Sequence, residues 1–259
     1  MLRYIYYKLI HYGFDARQFF SSIKTPTWFY RDLQNLKIQK DQDTTFEISK
    51  LYPIYNDRHA QGGVMNGAYF HQDLYVARKI FESNPINHLD IGSRTDGFIA
   101  HVASFRKIEI IDIRDINSKV KNINFRKADL MQLPEDLVDS FNSISSLNVI
   151  EHFGLGRYND PIDYWGYLKA IHNITKILKH GGIFYFSVPI GHQRIEFNAH
   201  RIFSVDYLLS LFSKEYNLLS FSYIDDLGDF YEEVTLTDYD IKNNFDCTFG
   251  CGIFILEKI

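Results

Sequence analysis

Residues 87–102 read NHLDIGSRTDGFIAHV. A short apolar run leads into Asp90 and Gly92, a polar turn follows, and apolar periodicity resumes after Gly97. This order predicts strand, turn and helix, the opening unit of a nucleotide-binding sheet. The turn holds only two glycines, with Arg94 and Asp96 between them. Its ligand is therefore the first thing to decide.

Outward from this unit the same alternation continues. Strands are expected near His88–Ile91, Lys107–Ile111, Asn142–Leu147, Gly182–Val188, Leu218–Ile224 and Gly252–Glu257. Helices are expected near Phe70–Glu82, Gly97–Phe105, Tyr164–Leu178 and Ser204–Phe212, the first ending before Pro85. Alternating helices and near-continuous apolar strands predict an α/β fold, a doubly wound and mostly parallel sheet covered on both faces. No helix separates the last two strands, so they are expected to form an antiparallel pair.

Ahead of this domain, taken as residues 61–259, lies an aromatic and basic extension, residues 1–60. Leu2, Ile5, Tyr6, Leu9 and Ile10 fall near helical spacing, Trp28, Leu33 and Leu36 suggest a second helix, and Lys40–Thr45 reads as a linker. The extension is therefore expected to be helical.

The chain has 259 residues, 46% apolar and 16% aromatic, enough for one large core with an appendage. A net charge of −4 argues against nucleic acid as a partner. That charge is uneven: residues 1–40 carry +5 and the rest −9. The first segment is thus a candidate for peripheral contact with a membrane surface, set against simple packing on the larger domain. Cys247 and Cys251 lack partners at zinc-site intervals and read as reduced thiols, so no metal is expected. No apolar run has the length of a membrane span and no cleavage site follows the amino terminus. The expected location is cytoplasmic, with contact at the inner membrane face through residues 1–40.

A dinucleotide turn needs a second glycine where Arg94 stands. A phosphate loop needs lysine and a hydroxyl residue where Phe98 and Ile99 stand. S-adenosylmethionine demands less, having no pyrophosphate. Asp112, 22 positions after Asp90 and at the end of the second strand, is placed to accept the ribose hydroxyls. Asp129 in ADLMQLP is placed to accept the adenine amino group. Each acid alone reads as a cap or turn residue. Three acids, each after a successive strand-like segment, point to one site.

Asp90-x-Gly92, Asp112, ADLMQLP, SSLNVIEHFG and LKHGGIFYFSVP, in this order, resemble a class I S-adenosylmethionine-dependent methyltransferase. HQDLYVARKIF, LDIGSRTDGFIAH, VIEHFGLGRYNDPID and FNAHRIFS resemble more narrowly an uncharacterised bacterial family, domain of unknown function 268, whose members sit among surface-polysaccharide genes. The resemblance implies a Rossmann-like domain with Asp90, Gly92, Ser93, Arg94, Asp112, Ile113, Asp129, Leu130 and Asn148 around the cofactor. It also implies methyl transfer to a sugar hydroxyl of a surface glycan or its precursor. The alternative is a scaffold protein that kept the fold and lost the cofactor. Arg94 decides between them: either it holds the cofactor carboxylate through two hydrogen bonds, or Arg94 and Asp96 pair with their neighbours and close the pocket.

Transfer to oxygen needs alignment and removal of a proton. His152, His200 and Asp160 are the candidate bases. Arg157, Tyr158, Asn198 and Arg201 are candidates for holding the sugar, with His71 in a lid.

Overall fold

The computed structural model describes Ile10, Tyr12, Gly13 and residues 26–116 and 119–259. The helix expected over residues 2–10 falls almost wholly outside these residues. The chain divides into two compact units, residues 1–64 and 65–259.

In the first unit, Pro26 precedes helix α1 (Thr27–Lys40), which covers the expected Trp28, Leu33 and Leu36. Trp28 and Phe29 meet Tyr55 edge-on at 6.1 and 5.7 Å, and Arg58 lies 4.3 Å above Trp28 while pairing with Asp32 at 2.6 Å. No residue of α1 is buried, so this cluster has the character of a surface patch more than a core. Among the described residues no helix is long and apolar enough to cross a membrane.

The second unit opens with α2 (Ala68–Ser83), followed by β1 (Leu89–Ile91), a wide π-type turn (Thr95–Ile99) running into α3 (Ala100–Ala103), then β2 (Ile108–Asp112) and β3 (Ile123–Lys127). Next come β4 (Phe141–Leu147), α4 (Gly166–Ile177), β5 (Leu178–Ile190), β6 (Arg194–Glu196), β7 (His200–Ile202) and α5 (Val205–Phe212). The chain closes with β8 (Tyr216–Ile224), β9 (Phe230–Tyr231), α6 (Asp238–Asn243) and β10 (Gly250–Lys258). The main sheet is ordered β3-β2-β1-β4-β5-β10-β8-β9. Its β3-to-β5 part is parallel, whereas β10 lies antiparallel between β5 and β8. This is the doubly wound, mostly parallel sheet that the alternation predicts.

Side chains along the central strands feed two separate cores. Phe184, Phe186 and Val188 of β5 with Phe254 and Leu256 of β10 pack on the α4 and α5 side. Tyr185, Ile253 and Ile255 pack with α2 and α3 on the other, as a two-residue strand period requires. β4 departs from the apolar pattern, since Ser143, Ser145 and Ser146 are buried within it. Two of the three belong to a polar chain joining β4 to β1. His88 lies 2.7 Å from the Ser143 hydroxyl and 3.0 Å from that of Ser145, and Ser145 donates to Asp90 at 2.6 Å.

Three sequence expectations need correction. No strand is expected between Val188 and Leu218, yet β6 and β7 pair there as a hairpin, with β7 inside FNAHRIFS, which an alternation as short as three residues does not reveal. Segment 123–127, not among the expected strands, is the edge strand β3, where only Ile123 and Phe125 pack on the core and Asn124, Arg126 and Lys127 are exposed. The last two long strands do pair antiparallel, but β9 and α6 intervene between them.

Gly97 shows why this turn is not a phosphate site. A Cβ there would sit 2.2 Å from Oδ2 of Asp73, a buried residue of α2. The protein's own carboxyl thus takes the helix-start position that a phosphate would occupy. Alanine at position 97 should cost about 1–3 kcal/mol by overpacking, despite its better helix propensity. Combining Gly97→Ala with Asp73→Ala should recover most of that cost. Urea unfolding of the double-mutant cycle checks this; strictly additive losses would refute the contact.

Candidate active site

In an open α/β sheet the ligand crevice lies beyond the carboxyl ends of the strands, where strand order reverses. Here that place is between β1 and β4, and a pocket opens there. Its wall includes Ile91 and Gly92 at the end of β1, Asp112, Ile113 and Arg114 at the end of β2, and Ala128, Asp129 and Leu130 after β3. Asn148, Val149, His152, Phe153, Tyr158 and Asp160, all after β4, complete it. Gly92 has φ of +67°, and a Cβ on it would press to 2.8 Å from Val149. Glycine is therefore required for the turn to lie so close to the loop after β4.

Of the residues expected around a cofactor, Gly92, Asp112, Ile113, Asp129, Leu130 and Asn148 meet in this pocket. Asp90 and Ser93 do not. Asp90 is fully buried and accepts from the Ser93 amide (2.9 Å), the Ser93 hydroxyl (2.7 Å) and Ser145. Burial pushes its pKa up to about 7 against the pull of those donors. Both residues brace the turn from inside.

Arg94 is neither ligand nor plug. It lies on the surface, donates twice to Asp96 at 3.1 and 2.9 Å, and covers the ring of Tyr69 at 4.7 Å. The two residues that depart from the glycine pattern satisfy each other and leave the pocket alone.

Asp129 accepts from the Met131 amide at 2.9 Å through Oδ1. Asp112 is more heavily engaged. Its Oδ1 accepts from the backbone and Nε of Arg114 at 2.8 and 3.0 Å, and its Oδ2 from Nη2 at 2.7 Å. The same guanidinium lies 4.4 Å above the Tyr158 ring. Arg114 was not among the expected residues; its signal is its place two positions after the acid, on the same short turn.

The candidate bases separate clearly. His152 lines the pocket, buried, with Nδ1 2.7 Å from the Ala199 carbonyl and Nε2 3.5 Å from Glu151. Burial, helped by the Arg157 charge, lowers its pKa to about 4, so the ring is neutral near pH 7. The shorter contact, to the Ala199 carbonyl, favours the tautomer that donates from Nδ1 and keeps the lone pair on Nε2, over the one that would accept from Arg157 Nη1 at 3.3 Å.

His200 lies outside the pocket wall, hydrogen-bonded to Glu196 at 3.2 Å and packed on Phe249 at 4.9 Å. Asp160 touches the pocket but spends both oxygens on its own loop, accepting from the amides of Gly154, Gly156 and Tyr158. That loop needs the help, because Gly154 has φ of +75° with the Asp163 carbonyl against its α-carbon.

The expected sugar ligands also divide. Tyr158 lines the pocket, edge-on to His152 at 5.5 Å, and Arg157 donates to the Ala199 carbonyl at 3.0 Å beside it. Arg201 is buried and donates to the carbonyls of Glu151, Phe153 and Tyr164, so it is a brace for the loop after β4. His71 stacks on Phe230 at 5.5 Å, a packing contact away from the pocket wall. Asn198 is exposed on the β6–β7 connection.

Behind Asn148 lies a polar cluster that the strand–helix pattern does not reveal. Gln72 of α2 accepts from Asn148 (2.9 Å) and Ser187 (2.6 Å) and donates to Asp73 (2.9 Å). Its signal was present: Gln72 and Asp73 precede Val76 and Ala77 by one helical turn, on the buried stripe of α2. Polar residues on such a stripe need partners. Glu151 is buried too, with Oε2 unpartnered, and burial pushes its pKa up to about 8. Among the described residues no group of three or more His, Cys, Asp or Glu is placed to hold a metal.

The fold is that of class I methyltransferases. A Burkholderia thailandensis 1,6-didemethyltoxoflavin-N1-methyltransferase, solved with 1,6-didemethyltoxoflavin and S-adenosylhomocysteine, aligns at a TM-score of 0.51 and 13% identity, over 72% of this chain and 78% of its own. An S-adenosylmethionine-dependent methyltransferase of Clostridium acetobutylicum aligns at 0.50 and 12% identity, over 73% of this chain and 92% of its own. At such identities the likeness is one of fold. The chain itself belongs to the family described as "Caenorhabditis protein of unknown function, DUF268", whose profile matches residues 98–246. No curated protein matches the sequence.

Glu151 yields a pH-dependent stability. Its folded pKa lies above the ordinary 4.5, so the folded state keeps a proton that the unfolded chain releases. Stability present below that value is lost as pH rises to about 8. Glu151→Gln keeps the neutral form and should reduce the loss between about pH 5 and about pH 8 by on the order of 3 kcal/mol. Asp90 contributes a slope of the same sign to both proteins. Urea midpoints at the two pH values test this; identical slopes would show that Glu151 is ionised in the fold.

Proposed function

We propose that the protein is an S-adenosylmethionine-dependent methyltransferase acting on a sugar hydroxyl of a glycan or its precursor. The observation that carries this is the convergence of Asp112, Asp129, Leu130 and Asn148 on one pocket at the switch point. The residues fit the group. Asp112 is placed for vicinal ribose hydroxyls, Asp129 and Leu130 for an adenine edge, and Ile91, Ile113 and Val149 supply apolar walls.

When bound, the cofactor supplies a methyl group on a positively charged sulfur, reactive toward an oxygen lone pair. The chain's task is then alignment and proton removal. His152 is the base of this reading: its ring is neutral, its tautomer is set by Ala199, and Nε2 is the atom that takes the proton. Tyr158 offers an aromatic face to a sugar ring, and Arg157 a donor beside it. The basic segment 1–40 belongs to the same reading as a contact for the membrane that carries a lipid-linked acceptor.

A second reading, a scaffold that has lost the cofactor, is favoured by one observation: Arg114 already holds both oxygens of Asp112. Calorimetry with S-adenosylhomocysteine separates the two. Binding is expected, and Asp112→Ala should weaken it at least about tenfold, since hydrogen bonds to a charged acceptor contribute ~1.5–3 kcal/mol each. No heat and no thermal stabilisation at saturating ligand would leave the scaffold reading standing.

The histidine yields a separate expectation. A base with a pKa of about 4 stays competent in mild acid, so the rate should hold until pH approaches that value. Such a base is weak, so His152→Gln should slow single-turnover methyl transfer to a nucleotide-sugar panel by ~100-fold, the low end for general bases. S-adenosylhomocysteine affinity should not change. A loss of only a few-fold would mean that alignment alone carries the step.

A further inference from the structure

We infer that Arg114 is an internal occupant of the ribose position, a latch that competes with the cofactor for Asp112 and ties that acid to the acceptor loop through Tyr158. The inference rests on the methyltransferase reading and adds to it a residue that sets cofactor affinity. Two vicinal hydroxyls need both oxygens of Asp112, and both are engaged by one guanidinium, at 3.0 Å to Oδ1 and 2.7 Å to Oδ2. Three of the roughly four acceptor sites on this carboxylate are taken, two on Oδ1 and one on Oδ2. A diol that needs two sites must therefore displace the fork, and the apparent affinity is reduced to the fraction of time the latch is open.

The latch is built across the pocket. Arg114 follows β2, whereas Tyr158 belongs to the loop after β4, and the two meet at 4.4 Å. A second cation, Arg157, lies 5.2 Å from the same ring, so two positive charges meet the ring of Tyr158. Displacing Arg114 releases one of them and frees one face of the ring. Cofactor arrival and exposure of the acceptor face are thereby one event, which orders binding as cofactor first.

Opening is feasible because the Arg114 side chain is about half exposed, at 51%, whereas that of Asp112 is 8%. Water takes up the guanidinium when it leaves, and the buried carboxylate is left for a new donor. A carboxylate stripped of its donors at such burial is costly, so an empty site favours the closed latch.

The test is calorimetry on the full chain. Arg114→Met keeps the stem and removes the fork, and should bind S-adenosylhomocysteine about tenfold more tightly than the wild type. Tyr158→Leu, which leaves Asp112 untouched, should give a smaller gain of the same sign. The gain should require the ribose hydroxyls: Arg114→Met should tighten adenosine but not 2′,3′-dideoxyadenosine. Affinity that is unchanged or weaker in Arg114→Met overturns the latch while leaving the methyltransferase reading intact. An equal gain for both nucleosides also overturns it, since Arg114 would then only narrow the pocket. If neither wild type nor Arg114→Met binds S-adenosylhomocysteine, the methyltransferase reading falls and the latch with it.

Discussion

The carboxyl of Asp90 lies wholly out of water, and the turn after β1 takes its shape from the three hydrogen bonds that reach it. An acid so placed is tolerable only where donors surround it. Ser93 supplies two from the turn itself, and Ser145 supplies the third from β4. The last bond makes the interaction structural, because β1 and β4 are the strands between which the order reverses. Their pairing is held by main-chain bonds and by a polar chain from Ser143 through His88 and Ser145 to Asp90. Burial keeps His88 neutral, with a pKa of about 3, so its ring can donate from one nitrogen and accept at the other. With that chain in place, Gly92 lies against Val149 and the crevice has its width.

The same economy governs the rest of the site. Most polar groups around the pocket are matched within the protein: Gln72 with Asn148 and Ser187, Arg201 with three carbonyls, Asp160 with three amides, while Oε2 of Glu151 is the exception. These bonds rigidify the loop after β4, which brings His152 and Tyr158 to the pocket. Asp112 differs from them. Its partner is a half-exposed arginine whose other face meets an aromatic ring, a partnership that another donor can replace. The site thus combines a fixed frame with one exchangeable contact.

The strand–helix alternation and the places of Asp112 and Asp129 were legible because each depends on local pattern. Apolar period marks strands and helices, and the residue after a parallel strand faces the crevice by topology. The edge strand β3, with two inward apolar residues, and the three-residue strands of the β6–β7 hairpin were not, since elements so short carry too little period to stand out. The role of Arg94 stayed open for a related reason. Its departure from a glycine pattern is visible in sequence, but whether it turns to the pocket or to Asp96 depends on the turn's path.

What the sequence by itself determined is the sheet, its mostly parallel sense and the end of it where a ligand would lie, because hydrophobic period and chain order suffice for these. What only the tertiary structure decided is which polar residues remain available. Asp90, Asp112 and Asp160 are the same residue type, within β1, at the end of β2 and in the loop after β4. They differ in the donors that folding brings to them: two serines, an arginine and three loop amides. A buried carboxyl must be neutralised or matched, and the match comes from residues up to 55 positions away for Asp90. No local window of sequence contains that partner.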